Sequence, residues 1–185
     1  MKVLATTIAK EFVCPITQEL PIKPVTAEDG KIYERDAILE WFRKKDGDVI
    51  SPSTGEVIGT KLLPAVQVRN TIESLIQTGA IEGEIAEAWQ KKLKQETRVK
   101  ELRAKADGGD GGAMYNLGVW YSSGMNGLTK DKAQARAWFE RSAAARDPQG
   151  MGSFGEYLLL GLGGPQDKSL GLVMVSQGAA FGSEV

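Results

Sequence analysis

The fold of the N-terminal part of the chain is decided by one stretch, FVCPITQELPIKPVTAEDGKIYER, at residues 12–35. Residues 12–24 carry three prolines among apolar residues, which predicts an ordered loop rather than a helix. The second half of the stretch predicts a small β-hairpin, since residues 25–27 and 31–33 flank the turn dipeptide Asp29-Gly30. The stretch therefore predicts a loop that leads into a hairpin.

Two helices and a second loop are expected after the hairpin. Ile38, Trp41 and Phe42 have the i, i+3, i+4 spacing of an amphipathic helix. A second proline-containing loop, SPSTG, occupies residues 51–55, and Pro64 is expected to open another helix. This combination of a hairpin with helices predicts an α+β domain.

Composition excludes several classes of site. The chain of 185 residues has no histidine and one cysteine, so intramolecular disulfides, Ser-His-Asp triads and zinc sites built from cysteine and histidine cannot form. The 23 basic and 24 acidic residues give a net charge of −1, which predicts no broad attraction to nucleic acid or to anionic membranes. Because there is no run of about 18 apolar residues, no membrane span is predicted. We expect a protein of the cytoplasm or nucleus that needs no metal and no cofactor.

A charged helix and a repeated region are predicted for the rest of the chain. Residues 79–107 place apolar side chains near one stripe among many charged ones, which predicts a charged linker helix. Residues 108–185 repeat themselves: Gly118 and Gly155 lie 37 residues apart at matched positions. A period in the mid-thirties with two helical patterns per unit predicts an all-α solenoid of about two helix-pair repeats.

The N-terminal motifs resemble those of a known family. The order of Cys14-Pro15-Ile16-Thr17, the hairpin, residues 38–41 and the loop at residues 51–55 is similar to that of the U-box, the zinc-free relative of the RING domain in ubiquitin ligases. The repeated region is similar to Sel-one-like repeats, which are related to tetratricopeptide repeats. The resemblance implies a U-box domain at residues 8–78, followed by the linker helix and then the repeats.

Polar side chains are expected to hold the two loops of this domain in place. A domain of about 70 residues with two long loops has a modest core and usually needs further stabilisation, and metals and disulfides are excluded here. The U-box resemblance likewise implies hydrogen bonds and salt bridges where RING domains use zinc. The candidates are Thr17, Glu19, Asp29, Glu34, Arg35, Asp36, Ser51, Ser53, Thr54 and Arg69.

The same resemblance implies a docking site for a ubiquitin-conjugating enzyme, formed by both loops and the first helix. By position, Ile16 is the apolar contact of the first loop, with Gln18 beside it, while Trp41 is the exposed contact of the helix and Pro52 that of the second loop. Many family members carry, directly after the segment that matches Pro52-Ser53-Thr54, an arginine that favours the reactive state. This sequence has Gly55 there, which implies weaker activation.

These features together predict a ubiquitin-protein ligase. Such a ligase supplies no nucleophile: it holds the charged conjugating enzyme and its ubiquitin where a substrate lysine can attack the thioester. The helical repeats would recruit the protein substrate. A non-catalytic adaptor is the alternative, because Gly55 would weaken activation, and a chaperone-associated scaffold is a third hypothesis, by analogy with tetratricopeptide domains. Further repeats or a partner are expected to cover the apolar last helix, near residues 167–181.

Several of these residues also have plausible structural roles. Trp41 and Ile16 could belong to the core, and Pro52 could serve only to shape its loop. Cys14 is expected to be a buried loop cysteine, since the chain has no histidine that could activate its thiol as a nucleophile. Trp89 could mark the seam of a homodimer, or it could dock against the chain's own domains.

Overall fold

The computed structural model describes residues 9–44 and 47–182, which form two compact units. The division falls between Leu93 and Lys94, within one helix. The first unit combines a small sheet with helices and the second is helical, so the predicted α+β architecture with helical repeats is confirmed. Within the described ranges, no helix is long and apolar enough to cross a bilayer.

A three-stranded antiparallel sheet organises the first unit. The strands are β1 (Pro24–Thr26), β2 (Ile32–Glu34) and β3 (Leu63–Pro64), in the order β2-β1-β3. Val25 of β1 pairs with Tyr33 on one side and with Pro64 on the other. Gly30 occupies the predicted turn with a φ of 73°, a conformation that glycine adopts without steric cost. The hairpin prediction is therefore confirmed.

Besides a helical segment at residues 9–12, three helices of nine residues or more among the described residues belong wholly or partly to this unit. They are α1 (Arg35–Arg43), α2 (Val66–Gln77) and α3 (Glu84–Asp107). The prediction that Pro64 opens a helix is wrong, because Leu63 and Pro64 pair with β1 as its third strand and α2 begins at Val66. Ala65 occupies the N-cap position of α2 and contributes no side-chain hydrogen bond to it.

Two hydrophobic clusters form the core of the first unit. The hairpin cluster consists of Cys14, Val25, Ala27, Tyr33 and Ile38. The helix cluster consists of Ala9, Leu20, Ile22, Ile72, Ile76, Ile81, Ala86 and Trp89. Trp89 is only 2% exposed in this cluster, so it packs against its own domain and does not mark a dimer seam.

The second unit contains two antiparallel helix pairs. Its helices are α4 (Gly111–Ser123), α5 (Lys132–Ala144), α6 (Pro148–Leu160) and α7 (Lys168–Gly182). An aspartate caps the start of each one, and its carboxylate accepts a hydrogen bond from a backbone amide two or three residues further on; the caps are Asp110, Asp131, Asp147 and Asp167. The repeat seen in the sequence is thus a repeat of helix pairs.

Matched glycines let the paired helices approach closely. A Cβ added at Gly118 of α4 would lie 2.5 Å from the ring of Phe139 in α5. At the equivalent Gly155 of α6, an added Cβ would lie 2.7 Å from the carbonyl oxygen of Gly171 and from Val175 in α7. Real Cβ atoms do not approach so closely, so the packing of both pairs requires glycine at these positions.

Helix α3 contributes buried side chains to both units. Trp89 belongs to the helix cluster of the first unit, whereas Val99 and Ala106 are buried in the second. Ala106 packs in one cluster with Met114 and Leu117 of α4. The domain boundaries predicted at residues 78 and 107 stay predictions.

Candidate functional site

The first loop, residues 13–22, is closed by its own backbone. The Cys14 amide donates to the carbonyl of Glu19 at 2.9 Å, and the Gln18 amide donates to the carbonyl of Cys14, also at 2.9 Å. Gln18 has a φ of 58°, in the left-handed region, and its side-chain amide donates to the Pro15 carbonyl at 2.7 Å. Ile16 therefore sits in a tight, hydrogen-bonded turn.

Glu34 fixes the end of this loop against the hairpin. Its carboxylate accepts hydrogen bonds from the Ile22 amide at 2.7 Å and from the Lys23 amide at 3.3 Å. Glu34 also occupies the N-cap position of α1, but its side chain makes no hydrogen bond to that helix. The carboxylate thus holds the loop in place instead of capping the helix.

Asp29 at the hairpin turn organises the second loop, residues 49–58. Its carboxylate accepts hydrogen bonds from the Ser51 hydroxyl at 2.6 Å and from the Tyr33 hydroxyl at 2.7 Å. The Ser51 hydroxyl in turn accepts from the amides of Ser53 and Thr54, at 3.1 and 3.0 Å. The hydrogen bonds among Tyr33, Asp29 and Ser51 therefore join the hairpin to the second loop. Ser51 is nearly fully buried, so this polar network reaches into the interior of the domain.

The network displaces the pKa values of its two titratable groups in opposite directions. Burial acts to raise the pKa of Asp29, but the hydrogen bonds from Ser51, Tyr33 and the Lys31 amide outweigh it and hold that pKa below its ordinary value. Burial, reinforced by the Asp29 carboxylate, raises the pKa of Tyr33 to about 12. Asp29 is therefore charged and Tyr33 neutral at physiological pH, as their hydrogen bonds require.

The first loop and α1 pack against the hairpin cluster, and hydrogen bonds join the second loop to α1 and to the hairpin. Ile16 from the first loop and Trp41 from α1 are both half-buried and pack against this cluster. The Trp41 indole donates to the carbonyl of Ile50, at the start of the second loop, at 2.8 Å. Trp41 is thus both a core residue and a surface residue, since its ring packs inward while part of it stays accessible.

The other residues implied by the U-box resemblance lie on the same two loops. Pro52 is half-buried directly after Ser51, and Gln18 is exposed. Gly55 is exposed with a φ of 76°, and an added Cβ would meet no atom within 4 Å. There is room for a side chain at this position, but the backbone conformation disfavours every residue except glycine. We call Ile16, Gln18, Trp41 and Pro52 the candidate docking surface.

Sequence reasoning missed three contributors to the loops. The Tyr33 hydroxyl was absent from the set of polar candidates, although tyrosine in a hairpin beside Asp29 is a plausible donor. Trp89 donates from its indole to the Pro21 carbonyl at 3.1 Å, and the Lys92 ammonium pairs with the Glu19 carboxylate. Both residues lie on a helix that follows the loops by about 70 positions, and no local pattern indicates such a contact.

Cys14 and clusters of metal-ligating side chains are the other features that could supply chemistry in this domain. Cys14 is fully buried in the hairpin cluster, where its thiol could not reach a thioester. No group of three or more potential ligands that could hold a metal ion occurs among residues 9–44 and 47–182. The side chains that the candidate docking surface offers for contact are the half-buried Ile16, Trp41 and Pro52 and the exposed Gln18.

Comparison with known proteins supports the sequence resemblance. The family model for the U-box domain matches residues 8–80. U-box domain-containing protein 43 of Arabidopsis thaliana is 40% identical over 70 residues, which cover 36% of this chain and 9% of the relative. The putative E3 ubiquitin-protein ligase LIN-1 of Lotus japonicus is 46% identical over 55 residues, 30% of this chain and 4% of the relative.

A human relative and a solved structure complete the comparison. The WD repeat, SAM and U-box domain-containing protein 1 of Homo sapiens is 43% identical over 63 residues, 34% of this chain and 13% of the relative. The three relatives are thus matched over 4% to 13% of their length. The crystal structure of a Sel1 repeat protein from Oxalobacter formigenes is similar with a TM-score of 0.42 and 26% identity, covering 64% of this chain and 81% of that one. The N-terminal segment of this chain, residues 8–80, is a U-box domain.

Proposed function

We propose that this protein is a ubiquitin-protein ligase that binds a ubiquitin-conjugating enzyme at the candidate docking surface. The observation that carries the proposal is that Ile16 and Trp41 pack against one cluster while the Trp41 indole bonds to the loop that carries Pro52. This occurs in a U-box domain whose relatives include proteins named as E3 ubiquitin ligases. A small transient interface needs an apolar and aromatic centre of this kind.

The proposed mechanism is positioning without a covalent intermediate on the ligase. The chain has no histidine, and its one cysteine is buried, so a nucleophile of the usual Cys-His kind is absent. The U-box would hold the conjugating enzyme while a lysine of the substrate attacks the thioester that links ubiquitin to that enzyme. Holding the reactants in a reactive orientation is enough to accelerate such a transfer.

The helical repeats are proposed to recruit the protein substrate. Stacked helix pairs present extended surfaces that bind proteins or peptides, and the second unit has two such pairs. Under this proposal, the U-box supplies the activated ubiquitin and the repeats supply the target, in the cytoplasm or nucleus.

A non-catalytic adaptor is the second candidate, and Gly55 is the observation that favours it. An arginine is common in the family at this position and is proposed to stabilise the reactive state, while this chain has a glycine with a left-handed backbone. An adaptor would bind the conjugating enzyme and promote no transfer.

Ubiquitin-chain assembly tests the ligase proposal directly. The full chain is incubated with activating enzyme, a panel of conjugating enzymes, ubiquitin and ATP, and ubiquitin chains on its own lysines are measured. We expect product with at least one conjugating enzyme. Ile16→Ala should lower the rate about 30-fold, since a central interface residue contributes about 2 kcal/mol or more.

The control variant is Val66→Ala, which shortens an equally apolar but exposed side chain on α2. It should retain full activity, and thermal unfolding should show that both variants are folded. Binding without product would support the adaptor. If no conjugating enzyme bound and no product formed, the ligase proposal would be wrong.

A further inference from the structure

We infer that the first turns of α3, beyond the end of the U-box match, keep the first loop in the shape that the conjugating enzyme binds. Trp89 and Lys92 are the positioning residues. The inference deepens the proposed function and rests on it for its binding measurement, but the effect on the loop can be measured without any partner.

Trp89 attaches α3 to the stretch that follows Ile16. Its indole is 2% exposed, packs in the helix cluster with Leu20 and Ile22, and donates to the carbonyl of Pro21 at 3.1 Å. This carbonyl lies beside a buried ring, where solvent does not reach it. If the indole donor were lost, no water could take its place and the carbonyl would have no hydrogen-bond partner. The contact joins residues 68 positions apart in the chain.

Lys92 acts on the same stretch one helical turn later. Its ammonium pairs with the Glu19 carboxylate, and both side chains are close to half-exposed. A pair so exposed contributes little to the free energy of unfolding of the whole protein. Loss of this pair should therefore affect the loop without destabilising the rest of the domain. Lys92 and Trp89 lie at i and i−3, on one face of α3.

The backbone of Glu19 transmits these contacts to Ile16. Its carbonyl accepts the Cys14 amide at 2.9 Å, and this hydrogen bond encloses residues 15–18, which include Ile16 and Gln18. On the opposite side, Glu34 holds the Ile22 amide. The end of the loop is therefore fixed between the hairpin and α3, and a shift of Glu19 would open the turn that presents Ile16.

The test uses Trp89→Phe and Lys92→Met in the full chain. Trp89→Phe keeps an aromatic ring in the cluster and removes the indole donor, whereas Lys92→Met keeps the length of the side chain and removes its charge. Lys91→Met, at an exposed neighbour on the same helix, is the matched control, and Lys92→Arg should restore the ion pair.

Amide hydrogen exchange at Cys14 measures the loop alone. We expect it to rise at least tenfold in Trp89→Phe and about twofold to fivefold in Lys92→Met, because an exposed ion pair contributes about 1 kcal/mol or less. It should stay unchanged in Lys91→Met and return to the original rate in Lys92→Arg. Amides of the buried α2 residues Ile72 and Ile76 should not change. Unchanged exchange at Cys14, or an equal rise in the loop and in α2, would overturn the inference, since the second pattern is that of general destabilisation.

Affinity for the conjugating enzyme is the second measurement. The same two variants should weaken binding threefold to tenfold, in step with the exchange at Cys14. The inference is wrong if the unaltered chain binds a conjugating enzyme and both variants bind it equally well, although exchange at Cys14 rises in them. If the unaltered chain binds no conjugating enzyme, the proposed function fails, and the exchange data alone then support or overturn the role of α3 in holding the loop.

Discussion

Asp29 is the residue on which the second loop depends most. It accepts hydrogen bonds from two side chains and from the Lys31 amide, and it lies at the turn that the sequence identifies from Asp29-Gly30. The turn could be predicted because its chemistry is local. The pairing of Asp29 with Ser51, 22 positions away, could not be, because it depends on how the hairpin packs against a loop of irregular backbone.

Replacement of Asp29 by asparagine should lower the free energy of unfolding by about 1.5–3 kcal/mol, since hydrogen bonds to a charged acceptor are lost or weakened. Asp36→Asn is the control. Asp36 forms an exposed ion pair with Lys23, so its loss should cost less than about 1 kcal/mol. Urea unfolding at neutral pH measures both, and equal effects of the two variants would contradict the assigned role of Asp29.

The depressed pKa of Asp29 adds a pH dependence of known sign. An unfolded aspartate titrates near pH 4, and the folded carboxyl titrates below that value. The stabilisation is therefore present above about pH 4 and is lost as the pH falls through the folded pKa. The difference between the original chain and Asp29→Asn should shrink when unfolding is measured at pH 3 instead of pH 6; a constant difference would contradict the charge-based explanation.

At the scale of elements, helices were predictable and the third strand was not. The helices show apolar periodicity and, in the repeats, aspartate caps. β3 has only two residues, Leu63 and Pro64, too few to show alternation. β3 is a strand because it pairs with β1, a contact that the local sequence does not show. The local pattern, a proline before an apolar helical stripe, instead predicted the start of a helix. The close approach of α6 and α7, by contrast, depends on Gly155, which the sequence places at the repeat position matched to Gly118.

Two glycines on α6 test that close approach with opposite expected signs. Gly155→Ala should destabilise the protein by about 1–3 kcal/mol, because its Cβ would collide with the backbone of α7. Gly152→Ala should stabilise it by about 0.5–1 kcal/mol, because no atom lies within 4 Å and alanine favours the helix. Thermal unfolding distinguishes them. If both substitutions changed the stability in the same direction, α6 and α7 would not pack as described.

At the scale of the whole molecule, the sequence predicted which segments form the candidate docking surface. It did not predict all of the contacts that hold those segments in place. Family order placed Ile16, Trp41 and Pro52 on two loops and a helix. The first loop and the helix share one cluster, and the indole of Trp41 bonds the helix to the second loop. The contribution of α3 escaped prediction because Trp89 and Lys92 reach back across about 70 residues.

The outer side of α7 exposes large apolar side chains. Leu172 and Val173 are 64% and 48% exposed, although the equivalent helix α5 packs against the next repeat. The sequence-based expectation that further repeats or a partner cover this face, and the separate expectation of a homodimer, both stay predictions.

The central claim is that a ubiquitin-conjugating enzyme binds where the two loops meet α1. The most direct measurement is a titration of the isotope-labelled full chain with unlabelled conjugating enzyme, followed by amide and indole NMR signals. The account predicts that the largest shifts fall on residues 16–18, on the loop around Pro52 and on the indole N–H of Trp41. This N–H donates to the carbonyl of Ile50, so its signal responds to changes in the second loop. Shifts confined to the helical repeats, with Ile16 and Trp41 unaffected, would contradict it.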